Sequence, residues 1–305
     1  MDITHTPRAC VPVIVGEWQL LYRPEKTGCY VNDHCLMQAL DGTWHLIGIT
    51  RDDPAVMPDR ERYFTHAAGK RLLTESGLDE IGIVCDNGVP AWAPAVVNDG
   101  RRYYMYYGPS PLRFATSDEL GHWMENPVFL HACPLDACHR DPMLLQVDDR
   151  RWLMYATGIQ DRYGVVSVFE STDWVNWRFL RYALQTSGNA PLNPPWGATE
   201  SPFVVRYAGF YYLFVTYTDS RPDNYHNTLV FRSSDPLDFG VYNGDNQAEV
   251  VVARLHAHAP EVVYDDVTAS WYITTCGWRN YGIPIEGAVA IARLDWQPAS
   301  QVDGE

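Results

Sequence analysis

The chain has 305 residues, 46% hydrophobic and 20% charged, which is enough apolar material for a sizeable core and too much for a disordered chain. Its 23 Lys and Arg against 38 Asp and Glu leave a formal charge of −15. That balance argues against a nucleic-acid partner or an anionic membrane surface, both of which need clustered basic side chains, and no apolar run reaches the roughly 18 residues of a membrane-spanning helix.

The opening stretch MDITHTPRACVPVIVGEW has no basic segment followed by an apolar one, so no secretory signal is expected and a cytoplasmic location is. Residues 11–23 read as a strand. A pattern then recurs five times: a short polar motif, an apolar pair, a turn and an aromatic strand. The motifs are Asn32-Asp33-His34, Trp92-Ala93-Pro94, Arg140-Asp141-Pro142, Glu200-Ser201-Pro202 and Ala259-Pro260-Glu261. From the Pro position, which His34 fills in the first copy, ten residues lead to Trp44, Tyr104, Trp152 and Tyr212, and eleven to Trp271. Each strand pair is joined by a Gly- or Asp-containing turn, the hairpin signal. A third strand follows near 114–118, 168–173 and 231–235. Repeats of this content predict an all-β, five-bladed β-propeller, a single domain over 1–305, with 11–23 completing the last blade and removing the open edge. The Asn-, Pro- and Gly-rich segment 182–199 reads as a loop. Tyr104, Trp152 and Tyr212 are expected in the core between blades. Little of the chain carries helical periodicity.

In a propeller the innermost strand of each blade lines the central axis, so the motif positions converge. They bring Asp33 with His34, Arg140 with Asp141, Glu200, and His258 with Glu261 toward one another. Charged groups are rarely buried without partners, and Arg140 is placed to neutralise part of the cluster. Carboxylates grouped in this way are the equipment of glycoside hydrolysis. One carboxyl donates a proton to the leaving oxygen while another attacks the anomeric carbon or activates water. Burial and like charge are expected to raise the acid's pKa, with the Arg keeping another carboxylate ionised.

Asn32-Asp33, Arg140-Asp141-Pro142 and Glu200-Ser201-Pro202, in that order, resemble the three signatures of the five-bladed propeller glycosidases of families 32, 68 and 43, over roughly residues 25–296. The resemblance implies that Asp33 is the nucleophile or the general base. It implies that Asp141 stabilises the transition state, binds sugar hydroxyls or tunes the acid, and that Glu200 is the general acid. Arg140 is similar to the arginine of the fructose-acting families. The chain departs from the family-32 pattern at His34-Cys35-Leu36, where Pro-Asn-Gly is usual, and at Ser201, where Cys is usual.

Further candidates for substrate contact are Asn32, His34, Trp92, Trp196, His258 and Glu261. His256 and His258 lie two apart, on one side of a strand. No metal ligand set is assigned and no cofactor is required. A calcium ion in the central channel is the one the resemblance leaves open, with His258 beside it. The seven cysteines are odd in number and lack CxxC spacing, so free, mostly buried thiols are expected. The expected function is hydrolysis of a glycosidic bond, of an arabino- or fructofuranoside in a small oligosaccharide or glycoconjugate. Transglycosylation or another sugar-metabolite reaction, and a non-catalytic glycan-binding propeller, are the alternatives. The expected partner is a small carbohydrate, and the oligomeric state stays open.

Overall fold

Short alternating segments separated by Asp- and Gly-containing turns favour antiparallel hairpins over helices. The computed structural model, which describes residues 8–51, 61–86, 88–126, 139–190, 198–218, 225–278 and 281–299, folds them into five sheets. The first strand, β1 (Cys10–Tyr22), is set aside for the end of the ring. Blade I is β2 (Asn32–Gln38), β3 (Trp44–Thr50), β4 (Tyr63–Gly69) and β5 (Asp79–Val84). Blade II is β6 (Trp92–Asn98), β7 (Tyr103–Gly108), β8 (Arg113–Ser117) and β9 (Met124–Asn126). Blade III is β10 (Arg140–Gln146), β11 (Trp152–Gln160), β12 (Tyr163–Ser171) and β13 (Arg178–Thr186). Blade IV starts with β14 (Thr199–Tyr207), β15 (Phe210–Tyr217) and β16 (Asn227–Ser233). The two-residue β17 (Val241–Tyr242) then adds in parallel to β13, and after the single turn of helix α1 (Gln247–Val250), β18 (Val251–His256) completes blade IV. Blade V is β19 (Val262–Asp265), β20 (Ser270–Thr275), β21 (Val289–Pro298) and finally β1.

The ring therefore closes as the sequence predicts. β1 pairs antiparallel with β21, Val13 opposite Asp295, so the last blade takes its outer strand from the other end of the chain. Tyr212 of blade IV fastens the junction: Cys10 N donates to its hydroxyl at 3.0 Å, and the hydroxyl donates to Cys10 O at 3.1 Å.

Strand periodicity builds the core. Alternate residues point to opposite faces, and each blade is covered on both. Leu213 and Val215 pack with Leu153 and Val166 of blade III, whereas their neighbours Tyr212 and Phe214 pack with Ile273 and Leu294 of blade V. The other seams follow the same rule: Ile47 and Phe64 meet Met105 and Tyr107, Tyr106 meets Met154 and Phe169, and Leu36 and Trp44 meet Tyr272 and Ile291. Each aromatic strand thus serves two seams, which is why the repeat carries aromatics at consecutive positions. Tyr212 is fully buried, while Tyr104 and Trp152 are half-buried and sandwich Trp174, with ring centroids at 5.0 and 4.1 Å. The predicted loop 182–199 begins later than the composition suggests, because β13 continues to Thr186 under Ala183 and Leu184. The five described cysteines are free thiols; Cys133 and Cys138 lie outside the described residues.

Candidate active site

Each motif sits at the start of an innermost strand, where the strand departs from regular pairing. Register breaks fall between Asn32 and His34, Trp92 and Ala95, Arg140 and Met143, and Glu200 and Phe203. A bulge of this kind re-aims side chains. The residue before each Pro has a left-handed φ: Ala93 at 45°, Asp141 at 54°, Ser201 at 46° and Ala259 at 44°. Such backbone costs on the order of 1–2 kcal/mol per residue. The conformation recurs in four blades, and in blades III and IV it brings charged side chains together on the axis.

Glycines give the motifs room. A Cβ on Gly108 would lie 3.3 Å from Arg140 Cβ, and one on Gly48 would lie 2.9 Å from His34 Cβ. Beside the blade-IV motif, a Cβ on Gly164 would lie 2.8 Å from Thr199 Oγ1 and 2.9 Å from Thr199 N. Thr199 cannot yield, because its hydroxyl bonds Thr157 Oγ1 at 2.8 Å and Val165 O at 3.2 Å. Gly164→Ala is expected to destabilise the fold by about 1–3 kcal/mol in urea unfolding. It is also expected to displace Glu200, the next residue along; unchanged stability would show that the seam can relax.

Around the axis the side chains form one connected group. Arg140 Nη1 donates to Asp141 Oδ2, and Arg140 Nη2 donates to Glu200 Oε1 at 3.1 Å. Ser201 N donates to Asp141 Oδ2 at 3.0 Å, while its hydroxyl donates to Asp33 Oδ1. From blade V, His258 Nδ1 donates to Cys276 O at 2.7 Å, leaving Nε2 3.9 Å from Glu200 Oε2. Arg140, Asp141, Glu200 and His258 are buried; Asp33 is half-buried. Two carboxylates, from blades III and IV, therefore share one guanidinium, and Ser201 ties the third, from blade I, to them.

The charges divide unevenly. Burial drives Asp33 above the ordinary carboxylate range, against His258 and the Ser201 hydroxyl, which lower it. Burial likewise pushes Asp141 up to about 7 although Arg140 opposes it. For Glu200, burial is outweighed by Arg140 and His258, and the group lies below its usual value. Burial also works against a proton on His258, but Glu200 and Asp33 outweigh it and raise the imidazole. The expectation that the acid-position carboxyl would be the raised one is thus reversed in the free site. The reason is geometric: Arg140 reaches across to Glu200, whereas Asp33 has only a neutral hydroxyl on it.

An aromatic wall rises beside this group. Tyr281 stacks on Tyr225 at 4.3 Å and meets His258 edge-on at 4.9 Å. Trp278 stacks on Tyr281 at 5.6 Å, and Tyr30 meets Trp278 edge-on at 5.2 Å. Three buried polar atoms nearby lack a hydrogen-bond partner among the described residues: Asn32 Oδ1, Trp92 Nε1 and Trp278 Nε1. Native interiors rarely leave such atoms unpaired, so they are ready contacts for a polyhydroxylated ligand.

His34 and Glu261 belong to the cavity beside these groups, which measures about 140 Å³ along the axis and is lined also by Asp33, Asp141, Ser201 and Leu36. His34 Nε2 is hydrogen-bonded to Thr274 Oγ1 at 2.8 Å, and burial pushes the ring down to about 3, so it is neutral. Glu261 accepts from Leu36 N at 3.3 Å, and burial holds it well above the carboxylate range. The structure thus brings Asn32, Asp33, Arg140, Asp141, Glu200 and His258 together, with Trp92 at the start of the blade-II inner strand, and sets His34 and Glu261 along the channel. Trp196 lies outside the described residues. The sequence reading did not single out Tyr30, Glu61, Tyr225, Trp278, Tyr281 or the Ser201 hydroxyl. Only Ser201 carried a positional signal, since it stands in the same repeat position as Asp33 and Asp141. Among the described residues no group of three or more His, Cys, Asp or Glu side chains could hold a metal. His258 spends one nitrogen on Cys276 O and turns the other to Glu200.

Comparison with known proteins bears on this arrangement. The sequence model of the glycosyl hydrolases family 32 N-terminal domain matches residues 95–272, more than half of the chain. The chain belongs to that family. The matched stretch includes the Arg140-Asp141 and Glu200 motifs and His258; Asp33 precedes it. No curated protein sequence matches significantly. Among solved structures, the Bombyx mori family-32 β-fructofuranosidase superposes with a TM-score of 0.63 at 15% identity, over 90% of this chain and 61% of that one. The fructan 1-exohydrolase IIa of Cichorium intybus gives 0.64 at 14%, over 90% and 57%. A thermostable family-43 glycoside hydrolase gives 0.64 at 16%, over 90% and 92%. These likenesses show the propeller fold, and this family-32 domain spans about six-tenths of the length of the two family-32 relatives.

Proposed function

We propose that this family-32 domain hydrolyses the glycosidic bond of a furanoside, an arabino- or fructofuranoside. The reading rests on one observation: Asp141 and Glu200 converge on a single buried guanidinium, and Ser201 ties Asp33 of a third blade to them, beside an aromatic wall with unpaired hydrogen-bonding atoms. The resemblance to propeller glycosidases and the family membership support the same chemistry. Related proteins have been crystallised with sucrose in the Bombyx mori enzyme and with 1-kestose in the Cichorium intybus enzyme.

In this reading Glu200 protonates the leaving oxygen as the anomeric C–O bond breaks. Asp33 attacks the anomeric carbon or takes a proton from the attacking water. Asp141 and Asn32 hold ring hydroxyls, and Arg140 stays charged throughout. Glu200 starts ionised, so the proton it delivers must first reach it, and the raised His258 imidazole beside it is the nearest source. The same protonation pattern favours a second reading in which the roles exchange, Asp33 being the acid and Glu200 the base or nucleophile.

Glu200→Gln separates the two on furanosides of graded leaving group. If Glu200 is the acid, kcat/KM falls about 10²–10⁴-fold on sugar leaving groups and far less on dinitrophenyl furanosides, which leave without a proton. If it is the base or nucleophile, both substrates lose alike. Absence of turnover by wild type across arabino- and fructofuranosides would overturn the hydrolase reading and leave a glycan-binding propeller.

A further inference from the structure

Glu61 stands just before β4, in the seam between blades I and II. Its carbonyl accepts from Ala91 N at 2.9 Å, which pins it to the segment leading into Trp92. Tyr30 OH donates to its Oε1 at 2.5 Å, and the Tyr30 ring is the one that meets Trp278 in the aromatic wall. Glu61 is only 5% exposed, yet its Oε2 has no hydrogen-bond partner among the described residues. The groups that face it come from several elements. Tyr30 precedes β2, Arg51 follows β3 and lies 5.8 Å from the Tyr30 ring centroid, and Asp33 stands on β2 itself. From blade V, Cys276 and Tyr281 both feel the Glu61 charge. The carboxyl thus stands against Tyr30, whose ring carries the aromatic wall beside the site, and its charge and that of Asp33 act on one another.

Burial raises Glu61 to about 8, with Tyr30 opposing and the Asp33 charge adding to the rise, so the group carries a proton at neutral pH. Because Tyr30 donates to Oε1, that proton belongs on Oε2. An oxygen atom brought in by a ligand supplies the acceptor that no described residue offers to Oε2.

We propose that Glu61 is a substrate-recognition residue of the glycosidase site described above, its unpartnered carboxyl oxygen donating a hydrogen bond to a hydroxyl of the neutral sugar bound over Asp33. The inference rests on the glycosidase reading. Above the point where Glu61 ionises, the donor is lost and a second negative charge faces Asp33, so sugar binding weakens.

The test is steady-state kinetics of wild type, Glu61→Ala and Glu61→Gln on an aryl furanoside and its monodeoxy analogues, from pH 5 to 9.5, with urea unfolding of each variant. Glu61→Ala is expected to raise KM about tenfold with kcat changed less than about threefold, the size of one lost hydrogen bond. One deoxy analogue should lose affinity in wild type and not in Glu61→Ala. Glu61→Gln, which offers Tyr30 an acceptor and keeps a donor at the other position, should recover most of the lost affinity. Wild-type KM should climb as the pH passes about 8, and that of Glu61→Gln should not. Cys276 and Tyr281 are held well above their usual values by burial and stay neutral in that window. A residue that merely braces Tyr30 would move kcat or stability without the deoxy or pH signature, and that result overturns the proposal. So does a Glu61→Gln enzyme that keeps the climb at pH 8, an outcome readable even if Glu61→Ala fails to fold. If wild type turns over no furanoside, the glycosidase reading itself has failed and takes this inference with it, a result distinct from active enzymes of equal KM.

Discussion

Asp33→Asn is expected to lower kcat/KM by about 10⁴-fold or more while making the protein more stable at neutral pH. The first effect follows from the proposed role of Asp33, since the variant lacks the carboxylate that in that reading attacks the anomeric carbon or activates water. The second follows from linkage. Burial raises the folded-state pKa of Asp33 above its unfolded value. The native state therefore holds the proton more tightly, and the stability this contributes is full below about pH 4 and is lost as pH rises through the folded value. Asparagine keeps an acceptor for the Ser201 hydroxyl and carries no charge to desolvate. Urea unfolding at pH 3.5 and 7 should show the variant and wild type nearly equal at the lower pH and the variant ahead at the higher. A variant less stable than wild type at pH 7 would mean that the Asp33 charge is compensated and not strained. Stability given up where chemistry happens is a common trade in enzymes.

Arg140→Met carries the largest expected loss of stability, about 3–5 kcal/mol at pH 7, because it leaves Asp141 and Glu200 buried without their shared cation. Methionine fills similar volume, so the loss is electrostatic in origin. Its sign with pH can be worked out. In wild type the Arg140 charge helps hold Glu200 below its usual value, so that group's stabilising share is present above about pH 4.5 and fades as pH falls through the lower folded value. In the variant both carboxyls rise and hold protons in the folded state. The deficit against wild type should therefore shrink on acidification, and unfolding at pH 4.5 and 7 measures it. A deficit independent of pH would assign the loss to packing instead of charge.

These expectations share one physical source. A ring of blades must place its inner strands around a narrow axis, and the residues that begin those strands are forced into one another's fields. The cost is met by pairing: one guanidinium for two carboxylates, a hydroxyl for the third, an imidazole between them. Asp33 receives the weakest hydrogen-bond partner, and burial raises it. That unevenness gives otherwise similar carboxylates different protonation behaviour before any substrate arrives.

Much of this architecture was legible in the chain. The ten-residue interval from the Pro position to Trp44, Tyr104, Trp152 and Tyr212 marks hairpins of equal length, and five copies of a hairpin with a third strand leave a propeller as the economical way to bury both faces. The spare strand at 11–23 pairs where the open edge of the last blade required it. Asp33, Arg140, Asp141, Glu200 and His258 were legible as a convergent set because a repeat makes position along the strand equivalent to position around the axis. Tyr30, Glu61, Trp278 and Tyr281 were not. They lie in connections between strands, where no periodicity ties sequence position to a place in space, and only the seam between blades I and II and the last turns of blade V bring them to the same mouth.

The sequence by itself determined the strand order, the closure of the ring and the identity of the groups on the axis, since these follow from a two-residue side-chain period and a repeat of fixed register. Tertiary structure alone decided which carboxyl keeps its proton. That depends on a few ångströms of reach: the Arg140 side chain extends to Glu200 and not to Asp33, so burial is outweighed at Glu200 and prevails at Asp33.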